Sequence, residues 1–358
     1  MEKSQPWNAL SDYDIIASIV NSRFVVKDYY IRDNAIEFRV DSPTDLKKSF
    51  ADVAKQLKLR GFVAFLRKLN SDIILLVGKV TYVAHFSKRK PLLLFLIVIG
   101  TVTVDGWLRV TSFMEISELI FDPLLFTLIY ALAVIGIVGT HELGHTIASY
   151  MHGVKSSLPY FIPGLPGYLP TFGAVITSGE PPLNRDALFD LGLSGPIAGL
   201  IVTLIIAIPG ALTSVPSTSI PINEAQILPL NTGLMMMAIF TITGRIQEGI
   251  ILSPLGFAAW LGFIITFLNI LPAWQLDGGH IARAVLGRKK HGIATTISII
   301  VLILLGFWLM ALLLLILSMR RIEMRPLDDV TPISKGRKYI FILVIFLAIL
   351  LAPMPSLP

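Results

Sequence analysis

Leu124-Leu125-Phe126-Thr127-Leu128-Ile129-Tyr130-Ala131-Leu132-Ala133-Val134-Ile135-Gly136-Ile137-Val138-Gly139 runs without a charge into Thr140-His141-Glu142-Leu143-Gly144-His145-Thr146. The second part is an H-E-x-x-H motif. In an α-helix each residue turns by about 100°, so residues four apart share a face. His141 and His145 then stand roughly 6 Å apart along the axis, a pitch at which two imidazoles can hold one Zn²⁺. Glu142 sits beside them, placed to take a proton from a water at the metal. The competing reading is a salt-bridged helical surface. Three ionisable groups closing so apolar a segment are costly unless paired or metal-bound, which favours the metal site.

The rest of the chain fits a membrane setting. Of 358 residues, 54% are hydrophobic and only 15% charged, with a mean hydropathy of +0.73. A soluble domain carries about 25% charged residues. The composition implies a multi-span membrane protein. The net charge of +6 is spread over the N-terminal region and the loops, so no nucleic-acid partner is expected. There is no cysteine, which excludes disulfides, thiolate zinc sites and a cysteine nucleophile. Any metal must be held by His, Asp or Glu. The N-terminus lacks a signal-peptide core, so the first span is expected to direct insertion. No transit peptide is visible, and a multi-pass protein of a prokaryotic cell membrane is expected.

Residues 1–87 read as a small α+β accessory domain. Ile36 to Val40 alternates like a half-buried strand. Ser42-Pro43 offers an N-cap and a first-turn proline, and Leu46, Phe50, Val53, Ala54 and Leu57 follow at helical spacing up to Gly61. Two further strands are expected at Phe62–Leu66 and Ile73–Val77. No catalytic cluster is visible there, so a docking or regulatory role is expected. Lys88-Arg89-Lys90 precedes the first span, about Pro91 to Leu108, which puts this domain in the cytoplasm. Asp105, Arg109, Glu115, Glu118 and Asp122 are expected in an outer loop. The second span, about Pro123 to Met151, brings the motif back toward the cytoplasmic face.

Leu158 to Ile176 holds four prolines and three glycines, which forbids a continuous helix. It reads as a re-entrant loop near the metal, because irregular backbone at membrane depth must be buried or line a wet cavity. Gly173 and Ala174, within Phe172 to Ile176, could offer an extended edge to an unwound substrate; an ordinary surface loop is the alternative. A third span is expected over Ala187–Leu212, with Asp186 and Asp190 complementing its dipole and Gly195-x-x-x-Gly199 allowing close helix approach. Pro196 should kink it. Thr213–Pro229 is a loop, and Leu230–Thr243 is a short apolar piece. A fourth span starts near Pro254. A fifth is expected over Ile293–Ser318 and a sixth over Tyr339–Leu351. That count puts the basic 320–338 loop outside, against the positive-inside tendency.

Two histidines leave a catalytic zinc one protein ligand short. Asp277 is the candidate: an acid ending a long apolar stretch, beside Gly278 and Gly279, with His280 as the alternative. His85, His152 and His291 fall at loop positions and are expected to be solvated. Asn269, three residues before Pro272, could bond a substrate backbone or cap its own helix break.

His141-Glu142-Leu143-Gly144-His145, then Gly195-Pro196, then Asn269-x-x-Pro272-x-x-x-Leu276-Asp277-Gly278 occur in that order, each in an apolar segment. This set resembles the site-2 proteases, intramembrane zinc metalloproteases, over roughly residues 91–351. Phe172-Gly173-Ala174 and Gln275 to His280 are similar to the archaeal and plastid-type branch, and no PDZ domain lies between the third and fourth spans. The resemblance implies an all-α polytopic domain over residues 88–358, with about six spans and the re-entrant loop. It also implies one zinc per chain on His141, His145 and Asp277, Glu142 as catalytic base, and Asn269 holding substrate. Substrates would be single-span membrane proteins in the lipid bilayer, cut within or near their transmembrane segments in regulated intramembrane proteolysis. Two other classes compete: a metal-ion transporter, which would more often show repeated halves, and a non-catalytic membrane scaffold, against which Glu142 argues.

Overall fold

The computed structural model describes residues 9–32, 35–80, 86–117, 122–216, 233–245, 249–319 and 324–354. The chain divides into two units. The first is Met1–His85 with Gly179–Leu188 and Met324–Ser334; the second is Phe86–Ser178, Phe189–Glu323 and Lys335–Pro358.

In the first unit, α1 (Tyr13–Asn21) precedes β1 (Val26–Arg32) and β2 (Ala35–Val40), and α2 (Leu46–Leu59) precedes β3 (Phe62–Leu69) and β4 (Asp72–Lys79). The sheet has the order β1-β2-β4-β3, antiparallel throughout. Period-two alternation buries Ile36, Phe38 and Val40 on one face, and the helical stripe of α2 buries Phe50, Val53, Ala54 and Leu57. The cap of α2 is Asp45, not Ser42: its carboxylate accepts from the Lys48 amide at 3.0 Å. Aspartate caps as well as serine and stands directly before the first apolar turn.

Sequence patterning has no signal for the two later segments of this unit. The Leu66 amide donates to the Leu327 carbonyl at 2.8 Å, and the Asp328 amide donates to Leu183 at 2.8 Å. Leu183, Leu327 and Val330 pack on the same core. Lys47 pairs with Asp186, and Lys58 with Glu180. Met324–Ser334 thus belongs to the same compact unit as the N-terminal residues. His85, Glu118 and residues 320–323 lie outside the described residues.

In the second unit, α3 (Arg89–Ile116), α4 (Pro123–Met151) and α5 (Arg185–Thr213, which starts in the first unit) are long and apolar enough to cross a membrane. The start of α4 is set by Asp122, whose carboxylate accepts from the Leu125 amide at 2.9 Å, and by Pro123 in the first turn. α3 runs past its expected end. Asp105 and Arg109 are not in a loop but one turn apart in this helix, joined at 2.7 Å. The pairing removes the charge cost that would otherwise end an apolar helix.

The proline- and glycine-rich stretch is a hairpin, β5 (Tyr160–Leu165) and β6 (Leu169–Val175), packed along α3 and α4. α5 continues through Pro196 and Pro209. Beyond it lie β7 (Val215–Pro216), α6 (Leu234–Ile242), β8 (Ile250–Ile251), which pairs with β7, and α7 (Pro254–Ile270). Most of the expected 213–229 loop lies outside the described residues. α8 (Asp277–Leu304, interrupted at Gly287, where φ is +76°), α9 (Trp308–Met319) and α10 (Lys335–Leu351) follow.

The expected fifth span, Ile293–Ser318, is not one helix. It breaks between α8 and α9, where Gly306 has a φ of +84°. α9 has 12 residues. Such a helix is about 18 Å long, short of the roughly 30 Å hydrocarbon core. α8 and α9 are in contact across this break.

Candidate metal centre

The motif lies in the last three turns of α4, with His141 and Glu142 buried and His145 half-buried. The imidazole centroids are 5.0 Å apart and the two Nε2 atoms 3.2 Å apart. The third group comes from the break between α7 and α8. Asp277 is the first residue of α8, and its Oδ2 lies 3.1 Å from His141 Nε2 and 3.3 Å from His145 Nε2. The break folds back tightly on α7: a Cβ at Gly278 would lie 2.0 Å from the Ile270 carbonyl oxygen, so only glycine fits.

The three atoms fit a zinc ion. They form a near-equilateral triangle with sides of 3.1 to 3.3 Å. Metal bonds of about 2.0–2.1 Å in tetrahedral geometry give ligand separations of about 3.3–3.4 Å. The hydrogen-bond pattern agrees. His145 Nδ1 lies 2.7 Å from the Leu191 carbonyl oxygen, which can only accept. Nδ1 therefore carries a proton, so that in the neutral ring Nε2 is the nitrogen left to ligate a metal. A metal ion held between these atoms would satisfy all three at once. Among the described residues this is the His/Asp/Glu group arranged to hold a metal.

A model of peptidase family M50 matches residues 129–312, just over half of the chain, and covers every residue of this group. The chain belongs to peptidase family M50. This is the site-2 protease family that the motif order resembles. It is similar to "Probable zinc metalloprotease EGY2, chloroplastic" of Arabidopsis thaliana, 31% identical over 65% of this chain and 42% of the relative. It is also similar to the EGY2 protein of Oryza sativa subsp. indica, 32% identical over 49% of this chain and 32% of the relative. "Probable zinc metalloprotease EGY1, chloroplastic" of Arabidopsis thaliana is 29% identical over 65% and 44%. The chain thus spans less than half the length of these relatives. No solved structure matches it.

The M50 chain brings together some of the residues read from sequence and leaves others apart. His141, His145 and Asp277 converge. Glu142 is 5% exposed, and its carboxylate has no hydrogen-bond partner among the described residues. Asn269 lies in the last turn of α7, half-buried, with its amide unbonded among the described residues; it does not cap the helix break. Gly173 and Ala174 lie on β6. His280 is not in the metal group. His152, expected to be solvated, lies 2.9 Å from Asp190, which also accepts from Arg337 Nε at 2.8 Å. Asp190 thus ties the ends of α4 and α10 together, a larger role than complementing the dipole. The Leu191 carbonyl was beyond sequence reasoning, because a backbone acceptor leaves no residue signature.

Gly195 shows how closely α5 meets the motif. A Cβ there would lie 2.1 Å from His145 Nε2. The ring cannot retreat without breaking its bond to Leu191. Gly195→Ala is therefore expected to lower zinc affinity by about 10- to 100-fold, as loss of a ligand-orienting contact does. Titration against a competing chelator reads this; unchanged affinity would mean the ring has room to move.

Proposed function

We propose that this chain is an intramembrane zinc metalloprotease that hydrolyses peptide bonds within or near the transmembrane segments of single-span membrane proteins. The observation that carries the reading is the triangle of His141, His145 and Asp277 with the unpartnered Glu142 beside it. The two Nε2 atoms and Asp277 Oδ2 would hold the ion. When bound, zinc supplies Lewis acidity at the scissile carbonyl and lowers the pKa of its water from about 15.7 toward 7. Glu142 would serve as the base that accepts a proton from the attacking water and hands it to the leaving amine. Leu191 keeps His145 in the ligating tautomer. Asn269 bonds the substrate backbone through its free amide, and the Gly173-Ala174 edge of β6 adds a strand of locally unwound substrate.

Six apolar segments support a polytopic, multi-pass protein of the cell membrane: α3, α4, α5, α7, the α8–α9 pair and α10, with the hairpin re-entrant among them. The relatives' names assign chloroplasts to those proteins, not to this one. The N-terminal domain acts as a cytoplasmic accessory domain. A transporter reading lacks repeated halves and an explanation for Glu142.

The direct test is the purified chain in lipid vesicles with a single-span substrate. Cleavage is expected to stop with a zinc chelator and return on adding zinc. Cleavage that persists after zinc is removed would sink the metalloprotease reading.

A further inference from the structure

Asp105 is fully buried in an apolar helix and belongs to no part of the metal site. Its carboxylate accepts four hydrogen bonds. Oδ2 takes the Tyr130 hydroxyl at 2.5 Å and Arg109 Nε at 2.7 Å. Oδ1 takes the Gly167 amide at 2.7 Å and Arg109 Nη2 at 3.3 Å. Arg109 Nη2 also donates to the Tyr168 carbonyl at 3.0 Å, and its guanidinium lies 3.4 Å over the Phe257 ring. Gly167 and Tyr168 are the tip of the β5–β6 hairpin. One ion pair thus fastens α3, α4, α7 and the hairpin tip.

Two further contacts give the hairpin's direction. Thr101 Oγ1, one turn before Asp105, donates to the Pro170 carbonyl at 3.1 Å. Phe95 packs against Phe161 at 4.9 Å between ring centroids, and Phe161 pairs with Ala174. β6 therefore runs from the Asp105 level toward the start of α3. Ten helical residues from Asp105 to Phe95 are about 15 Å. Eleven from Tyr130 to His141 are about 16 Å, and five strand steps from Leu169 to Ala174 are also about 16 Å. With the hairpin fixed at the Asp105–Tyr130 level, Gly173 and Ala174 come level with His141.

We propose that Asp105, Arg109 and Tyr130 are positioning residues: a latch that sets the depth of β6 and so selects which substrate bond meets the metal. The need for a latch is physical. A two-stranded, glycine- and proline-rich hairpin specifies its own register weakly, and a one-residue slip reverses every face. Here the pairing is already irregular between Phe161 and Pro163. A buried ion pair with every acceptor filled has one geometry, which is what a depth stop requires.

The inference rests on the protease reading, and the test separates the two. In vesicles, wild type is expected to cut a single-span substrate at one principal bond, mapped by mass spectrometry. Asp105→Asn and Arg109→Gln should lower kcat/KM by roughly tenfold to 100-fold, mainly through KM, since small misplacements cost that much. They should also spread cleavage to neighbouring bonds, with zinc content unchanged. Tyr130→Phe, which keeps the ring packing, should do the same more weakly. The chain has no cysteine, so spin labels at Phe172→Cys and Leu132→Cys report the hairpin directly. Their distance distribution should be narrow in wild type and broadened by Asp105→Asn. If Asp105→Asn does not fold, Arg109→Gln and Tyr130→Phe decide. Variants that cut only the wild-type bond at the wild-type kcat/KM overturn the latch. If wild type cuts nothing, the protease reading fails, and an unchanged label distance overturns the latch independently.

Discussion

Glu142→Gln is expected to lower cleavage of a single-span substrate by about 10³-fold, within the range a general base contributes, while one zinc per chain stays bound. The substitution keeps shape and volume and removes only the ability to take a proton. Glu142 is outside the His141–His145–Asp277 triangle, so the metal does not depend on it. It is buried, and no described residue satisfies its carboxylate. An acid placed in an apolar helix is costly to keep. A proton-accepting role accounts for it; packing alone would be served by leucine. Rate and zinc content, measured on one preparation, separate this from unfolding. A variant that cuts as fast as wild type would remove Glu142 from the mechanism.

The second large effect concerns the group that lies farthest away in sequence. Asp277→Ala should lower zinc affinity by more than the roughly 10- to 100-fold typical of ligand-orienting residues and abolish cleavage with it. Two imidazoles from one helix would remain, one ligand short of the three that catalytic zinc sites use. Asp277→Asn keeps the volume and loses the charge, so it too should bind weakly. Metal content after dialysis against a weak chelator reads both variants. Full retention of zinc by Asp277→Ala would assign the third ligand elsewhere.

Much of this site is legible in the amino-acid sequence, for a physical reason. An ionisable group in an apolar segment stands out because it is expensive, so His141, Glu142, His145 and Asp277 declare themselves. Asp105 and Arg109 carry the same signal, four residues apart, but at the end of a span they read as loop charges. The structure carries the helix past them to Ile116, with Asp105 bonded to Tyr130 and Gly167 and paired with Arg109. Backbone carbonyls such as that of Leu191 leave no trace in composition. The break near Gly306 is hidden because both flanks are apolar, and hydropathy does not distinguish one span from two helices joined at a break. The two late segments of the first unit join it through backbone bridges and ion pairs across more than a hundred residues, which periodicity does not encode.

Zinc-edge X-ray absorption of the purified chain, read with its metal stoichiometry, tests the centre of this account most directly. The predicted result is one zinc per chain with two imidazole nitrogens and a carboxylate oxygen in its shell, and no zinc when His141, His145 and Asp277 are all replaced. An unchanged spectrum and stoichiometry in that triple variant would contradict it.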